Sequence, residues 1–98
     1  MSEDYKGITG AVQLLKSISN ESRLLILCRL SQEQLSVNEL AAFAKLSQSA
    51  VSQHLAKLRE AKLVTTRREQ QTIYYSLDSK VLKAIIGVLH NHYCSTGK

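Results

Sequence analysis

The sequence predicts a mainly helical single domain carrying one small β-hairpin, in the order α-α-α-α-β-β-α. Three observations predict it. Apolar residues recur at helical spacing from Ile8 to Leu58, broken by short polar turns. The period changes to two between Val64 and Leu77 and returns to helical from Val81 to Tyr93. The chain has 98 residues and no proline, so residues 1–98 read as continuous elements around one core, with no room for a second.

The first helix is expected over about 5–18, with Ile8, Ala11, Val12, Leu15 and Ile18 on its apolar face. Asn20 is a natural N-cap for the second, whose run Leu24, Leu25, Ile26, Leu27 and Leu30 is apolar nearly all round and belongs in the middle of the domain. Ser36 and Glu39 form a capping box at the start of the third helix, with Leu40 and Phe43 as its core contacts. Ala44-Lys45-Leu46 leaves room only for a tight turn before Ser47 caps the fourth, whose buried face is Val51, Leu55 and Leu58. Val64 to Arg68 is rich in strand formers, and Ile73, Tyr75 and Leu77 alternate with Thr72, Tyr74 and Ser76. The hairpin turns near Glu69-Gln70-Gln71 without an Asn-Gly or Asp-Gly signal. A last helix over about 79–94 carries Val81, Leu82, Ile85, Ile86, Leu89 and Tyr93, with Gly87 in its middle.

Composition excludes whole classes. Hydrophobic residues are 44% of the chain and charged residues 21%, a globular balance. The longest apolar runs, Leu24 to Cys28 and Ala84 to Leu89, fall far short of the roughly 20 residues of a membrane span. Glu3 and Asp4 lead into no apolar signal segment, and the two cysteines form no CxxC, so a reduced, cytoplasmic protein with no membrane partner is expected. The net charge of +5 is uneven. Residues 45–71 hold Lys45, Lys57, Arg59, Lys62, Arg67 and Arg68 against Glu60 and Glu69, a balance of +4. That concentration has the form of a nucleic-acid footprint.

Two short capped helices over about 36–61, followed by a basic hairpin over about 63–77, describe a winged helix-turn-helix. With Val51, Leu55 and Leu58 inward, Gln48, Ser49, Ser52, Gln53 and Lys57 face out. An ordinary surface helix carries Glu and Lys pairs; this one presents amides and hydroxyls. Gln bonds adenine edges, Ser bonds bases or phosphates, and Lys contacts phosphates. Arg67, Arg68 and Gln70 are expected at the hairpin tip, within reach of a neighbouring phosphate or the minor groove. His54 either touches DNA or makes a hydrogen bond inside the motif.

The stretch SQSAVSQHLAKLREAKLVTTRREQQTIYYSL, from Ser47 to Leu77, closely resembles the recognition helix and wing of the ArsR/SmtB family of bacterial repressors. LLKSISNESRLLILCRL, from Leu14 to Leu30, resembles that family's second-helix signature. The resemblance covers roughly residues 8–94, and its SQHL pattern, Ser52 to Leu55, implies the internal role for His54. It implies a homodimer joined through the first and last helices, binding double-stranded DNA at imperfect palindromes. Apolar faces on both helices agree, since one small domain cannot bury both.

Many members of that family sense metals, and their ligand positions are mostly empty of ligands in this sequence. The cysteine-bearing third helix is replaced by Glu39-Leu40-Ala41-Ala42-Phe43, without a thiolate. The last-helix zinc positions correspond to Ser79, Val81, His92 and Ser95, which retain one candidate ligand where a site needs three or four. No metal or other cofactor is therefore expected. Cys28 and Cys94 remain. Singly each reads as a small core hydrophobe. As a pair, in LILC (Leu25 to Cys28) and LHNHYC (Leu89 to Cys94), they resemble the sulfur- and redox-responsive branch of the family. That resemblance implies a DNA affinity set by oxidation or persulfidation, with reactive oxygen or sulfur species as the signal. His90 shares a helix face with Cys94 and would favour its thiolate when protonated, while the helix dipole opposes it.

Two other readings compete. One has His90, His92 and Cys94 as part of an unorthodox metal site of a metal-responsive repressor, with a further ligand from elsewhere. A small thiol oxidoreductase or sulfur carrier using the two cysteines would lack a CxxC and any acid–base constellation, and would leave the amide-rich helix unexplained; the chain is not expected to be an enzyme.

Overall fold

Side-chain caps start four of the five described helices. The computed structural model describes residues 5–94. Its elements are α1 (Ile8–Ile18), α2 (Glu21–Leu30), β1 (Leu35–Ser36), α3 (Val37–Ala44), α4 (Gln48–Glu60), β2 (Val64–Glu69), β3 (Thr72–Leu77) and α5 (Lys80–Tyr93). Asn20, Ser47 and Ser79 each accept the N–H three residues on, at 3.0 Å. Ser36 does the same for Glu39 at 3.2 Å, and the Glu39 carboxylate returns a bond to the Ser36 N–H at 2.9 Å, so the capping box is complete. Each such cap satisfies a donor that a helix start leaves orphaned, for about 1 kcal/mol. Only α1, preceded by Gly7, begins without one, and it starts at Ile8 rather than near Tyr5.

Two helices stop on lysines in the left-handed region. Lys45 has φ 58°, and the next N–H, of Leu46, reaches back to the Ala41 carbonyl at 3.1 Å. Lys62 has φ 63°, and the Leu63 N–H reaches the Leu58 carbonyl at 2.9 Å. These closures satisfy carbonyls at the helix ends, a job more often given to glycine. The first makes the tight turn of the helix-turn-helix. The second aims the chain into the wing.

The sheet has three strands in the order β1-β3-β2, all antiparallel. The sequence pattern contains only the hairpin β2–β3, with Val64 opposite Leu77 and Glu69 opposite Thr72. The added strand pairs Leu35 with Tyr75 and Ser36 with Tyr74. Two residues are too few to display an alternation, which is why no strand is legible there.

The core lies where α2, α3, α4, the base of the wing and α5 meet. Ile26, Leu27, Leu40, Val51, Leu55, Leu58, Leu82 and Ile86 are fully buried within it. The expected inward face of α4 is thus fully inward. Phe43 departs from expectation: it is 43% exposed, with the Arg29 guanidinium 5.4 Å from its ring centroid, and Ala41 is buried in its stead. An eight-residue helix turns one narrow stripe inward, and that stripe is Leu40 and Ala41. On α1 only Ile18 is buried, leaving Ile8, Val12 and Leu15 exposed. On α5, Val81 and Val88 are 60% and 67% exposed. No described helix is long and apolar enough to cross a membrane.

Candidate nucleic-acid interface and thiol groove

The capped start of α4 fixes a row of polar side chains on the outside of the domain. Gln48, Ser49, Ser52, Gln53 and Lys57 are all exposed, opposite the buried Val51, Leu55 and Leu58. This is a helix anchored by aliphatic residues on one side and free to present amides, hydroxyls and an ammonium on the other. Major-groove base edges offer donors and acceptors that amides and hydroxyls match.

His54 is turned away from that row. Its Nδ1 accepts a hydrogen bond from Arg23 Nε at 3.3 Å, and Arg23 Nη1 donates to the Ser17 carbonyl at 3.2 Å. One guanidinium therefore joins the end of α1, the start of α2 and the middle of α4. Burial first, then the positive charges of Arg23 and Lys57, hold the His54 pKa below its ordinary 6.5. The ring is neutral in this arrangement, as an acceptor must be. Sequence reasoning passed over Arg23. Its signal was a misfit: a cation in the first turn of a helix opposes the macrodipole and calls for a compensating partner.

The wing differs in one respect from expectation. Its tip is the two-residue turn Gln70-Gln71, with Gln70 at φ 58°. Arg68 stands beside it, opposite Ile73, with its Nε donating to the Gln70 carbonyl at 3.3 Å. Arg67 is not at the tip. It lies opposite Tyr74, over whose ring the guanidinium sits at 5.2 Å from the centroid. Its Nε and Nη2 donate to Gln34 Oε1 at 3.1 and 3.0 Å, and Nη1 meets Glu69 at 3.4 Å. Successive strand residues point to opposite faces, so Arg67 turns back on the domain while Arg68 faces the other way.

Cys28 and Cys94 are both free thiols and line one groove of about 460 Å³ between α2 and the end of α5, together with Leu24, Leu25, Leu89 and Tyr93. Cys28 is half-buried, packed against the core, and Cys94 is exposed at the C-cap of α5, its N–H bonded to the His90 carbonyl at 2.8 Å. Burial pushes the Cys28 pKa up, and the neighbouring Cys94 thiol raises it further by charge and as a hydrogen-bond partner. Cys28 is thereby kept as a thiol near neutral pH.

The metal positions are dispersed. Ser79 is occupied in capping α5, Val81 is apolar and exposed, His92 meets Tyr93 edge-on at 4.8 Å, and Ser95 lies outside the described residues. Among the described residues, no three His, Cys, Asp or Glu side chains gather as a metal-binding group.

This geometry has close relatives. A family model described as bacterial regulatory protein, arsR family, matches residues 20–66. The transcriptional activator HlyU of Vibrio cholerae is 50% identical over 98 residues, all of this chain and 91% of that protein. The nodulation protein NolR of Rhizobium meliloti is 49% identical over 93% of this chain and 75% of its own. Among solved structures, reduced HlyU from Vibrio cholerae superposes with a TM-score of 0.90 at 52% identity, covering 96% of this chain and 99% of that one. The repressor BigR of Xylella fastidiosa superposes with a TM-score of 0.86 at 31% identity, over 98% and 95% of the two chains.

Proposed function

Since the chain belongs to the ArsR family of bacterial regulatory proteins, and is a DNA-binding transcriptional regulator of that family, we propose that it is a homodimer whose operator affinity is set by the state of Cys28 and Cys94. The recognition helix α4 lies in the major groove, where Gln48, Ser49, Ser52 and Gln53 read bases and Lys57 meets phosphate. Arg68 and Gln70 at the wing tip reach the neighbouring backbone or minor groove. The exposed apolar faces of α1 and α5 form the dimer interface, and the operator is an imperfect palindrome matching the two-fold axis. His54 serves the protein rather than the bases, as the acceptor of the Arg23 bond.

The single observation that carries the regulatory part is the shared groove. Two thiols 66 positions apart in sequence converge between a core helix and an interface helix. Cys94, the exposed partner, meets the signal first. With peroxide its thiolate takes one oxygen to give a sulfenic acid, the other oxygen leaving as hydroxide, and the Cys28 thiol then condenses with the sulfenic acid, expelling water and closing a disulfide. With a polysulfide, the Cys94 thiolate attacks the chain, displaces a shorter sulfide and keeps at least two sulfane sulfurs. The Cys28 thiolate then attacks the sulfur next to Cys94's own, expels the remainder as hydrosulfide and closes a polysulfide bridge. Either link ties α2 to α5 and changes how the subunits sit. Recognition helices must match half-sites about 34 Å apart, so a small rotation releases specific DNA. A release of about 100-fold requires about 2.7 kcal/mol of coupling.

The test is a binding titration on the chain's own upstream region, with reduced, peroxide-treated and polysulfide-treated protein. Cys28→Ser and Cys94→Ser are each expected to bind like the reduced protein and to hold on after treatment. Normal release by either single variant would end the two-thiol reading while leaving DNA binding untouched.

A further inference from the structure

Lys16 in the last turn of α1, Arg23 in the first turn of α2 and Lys57 in the last turn of α4 converge on one open groove of about 490 Å³. Glu60 is its one carboxylate. Neither Lys16 nor Lys57 forms an ion pair with a described carboxylate. Arg23 is held by His54 and the Ser17 carbonyl through Nε and Nη1, bonds that do not engage Nη2. Three cations from three helices, with one anion among them, leave a concentrated positive field that an external anion would neutralise.

The position of the groove names the anion. Ser49, Gln53 and Lys57 form one stripe along α4, four residues apart. Four residues of helix rise about 6 Å, half of the roughly 12 Å width of a major groove. With Ser49 and Gln53 at base edges, Lys57 stands at the lip of the groove, where the sugar-phosphate backbone runs. We propose that the Lys16–Arg23–Lys57 groove seats a backbone phosphate of the bound duplex, so that α1 and α2 contribute to DNA binding alongside the helix-turn-helix and wing. This rests on the DNA-binding reading above. Lys16 and Lys57 supply mobile ammonium groups, and Arg23 a guanidinium that His54 has already oriented, which lowers the ordering cost of the contact.

The experiment uses the full-length chain, with binding to operator and to an unrelated duplex measured across a salt series. Lys16→Ala is the primary variant because Lys16 is exposed and outside the core. It is expected to weaken binding to both duplexes about 3- to 10-fold near 0.1 M salt, and to flatten the plot of log affinity against log salt by about 0.9. Lys16→Arg is expected to restore both. A thermal melt matching the wild type shows that the variant is folded. Unchanged affinity and slope in Lys16→Ala, with Gln53→Ala still losing operator binding, would overturn the seat and spare the DNA-binding reading. Failure of the wild type to bind any duplex would bring down both. Inorganic phosphate at matched ionic strength is expected to compete no better than chloride. Release by phosphate that Lys16→Ala abolishes would make the groove a site for a free anion and overturn its assignment to the backbone.

Discussion

Arg23 donates to His54 at 3.3 Å and so joins the helix that carries Cys28 to the helix that presents the exposed amides of Gln48 and Gln53. The bond needs an uncharged imidazole. Burial, with Arg23 and Lys57 nearby, makes His54 harder to protonate in the folded chain than in the unfolded one. Between the lowered folded pKa and the ordinary 6.5, the unfolded chain binds more protons, so stability rises with pH there and is lost as pH falls. The denaturation midpoint is expected to drop between about pH 7.5 and about pH 5.5, and to drop less in His54→Gln. An equal drop in both proteins would place the titrating group elsewhere.

The two wing arginines are expected to behave differently. Arg68→Ala should flatten the salt dependence of operator binding by about 0.9, the value of one phosphate contact. Arg67→Ala should change that slope little and instead lower stability by about 1 kcal/mol, through the lost Gln34 bond and Tyr74 stacking. Salt series and chemical denaturation on the same two variants separate the roles. The reverse pattern would mean that Arg67 leaves the protein for the DNA.

Cys94 is expected to react with iodoacetamide faster than Cys28 at neutral pH, because it is exposed while burial holds Cys28 in the thiol form. Removing the thiol as Cys94→Ala takes away two of the three causes that raise Cys28, its charge and its hydrogen bond. The midpoint of the Cys28 alkylation pH profile should then move down. Peptide mapping after timed alkylation reads both effects, and a midpoint that stayed put would mean the thiols are not neighbours in solution.

Val88 is a better probe of the dimer than Ile85 or Leu89, since Ile85 packs on the core and Leu89 lines the thiol groove. Val88→Glu should leave the subunit folded but bury an unpaired charge at the interface, a cost of about 3–5 kcal/mol. Sedimentation should show monomer with operator affinity largely lost. A variant that remained dimeric would move the interface away from this face of α5.

Much of this was legible in the residues themselves. The caps at Asn20, Ser36 and Ser47 and the inward face of α4 are local features written in spacing, and each reappears in the structure. What sequence did not show depends on tertiary neighbours. Strand β1 exists because Leu35 and Ser36 lie against Tyr75 and Tyr74, forty positions away and less. The helix stops fall on Lys45 and Lys62, where no glycine marks a left-handed residue. Arg67 and Arg68 are indistinguishable by type, and only the register of the ribbon, with Arg67 opposite Tyr74, assigns one to the protein and the other to the outside. The thiol pair was suggested by family resemblance, since spacing alone cannot bring two residues so distant in sequence to one groove.

Ser36 caps α3 with its side chain while its backbone, as part of β1, is paired with Tyr74 in the middle strand. One residue thus belongs to the helix-turn-helix and to the wing at once. The consequence is a limit on modularity. A graft that exchanges the wing by cutting at Leu63 and Leu77 would sever a strand partner of the segment that launches α3, and would shift the recognition helix along with the ribbon. The turn at Gln70-Gln71 carries no such tie, so length and charge can vary there independently. Exchange of DNA preference between relatives should therefore succeed by altering the tip or by moving residues 35–77 as one block, and fail when the hairpin alone is moved.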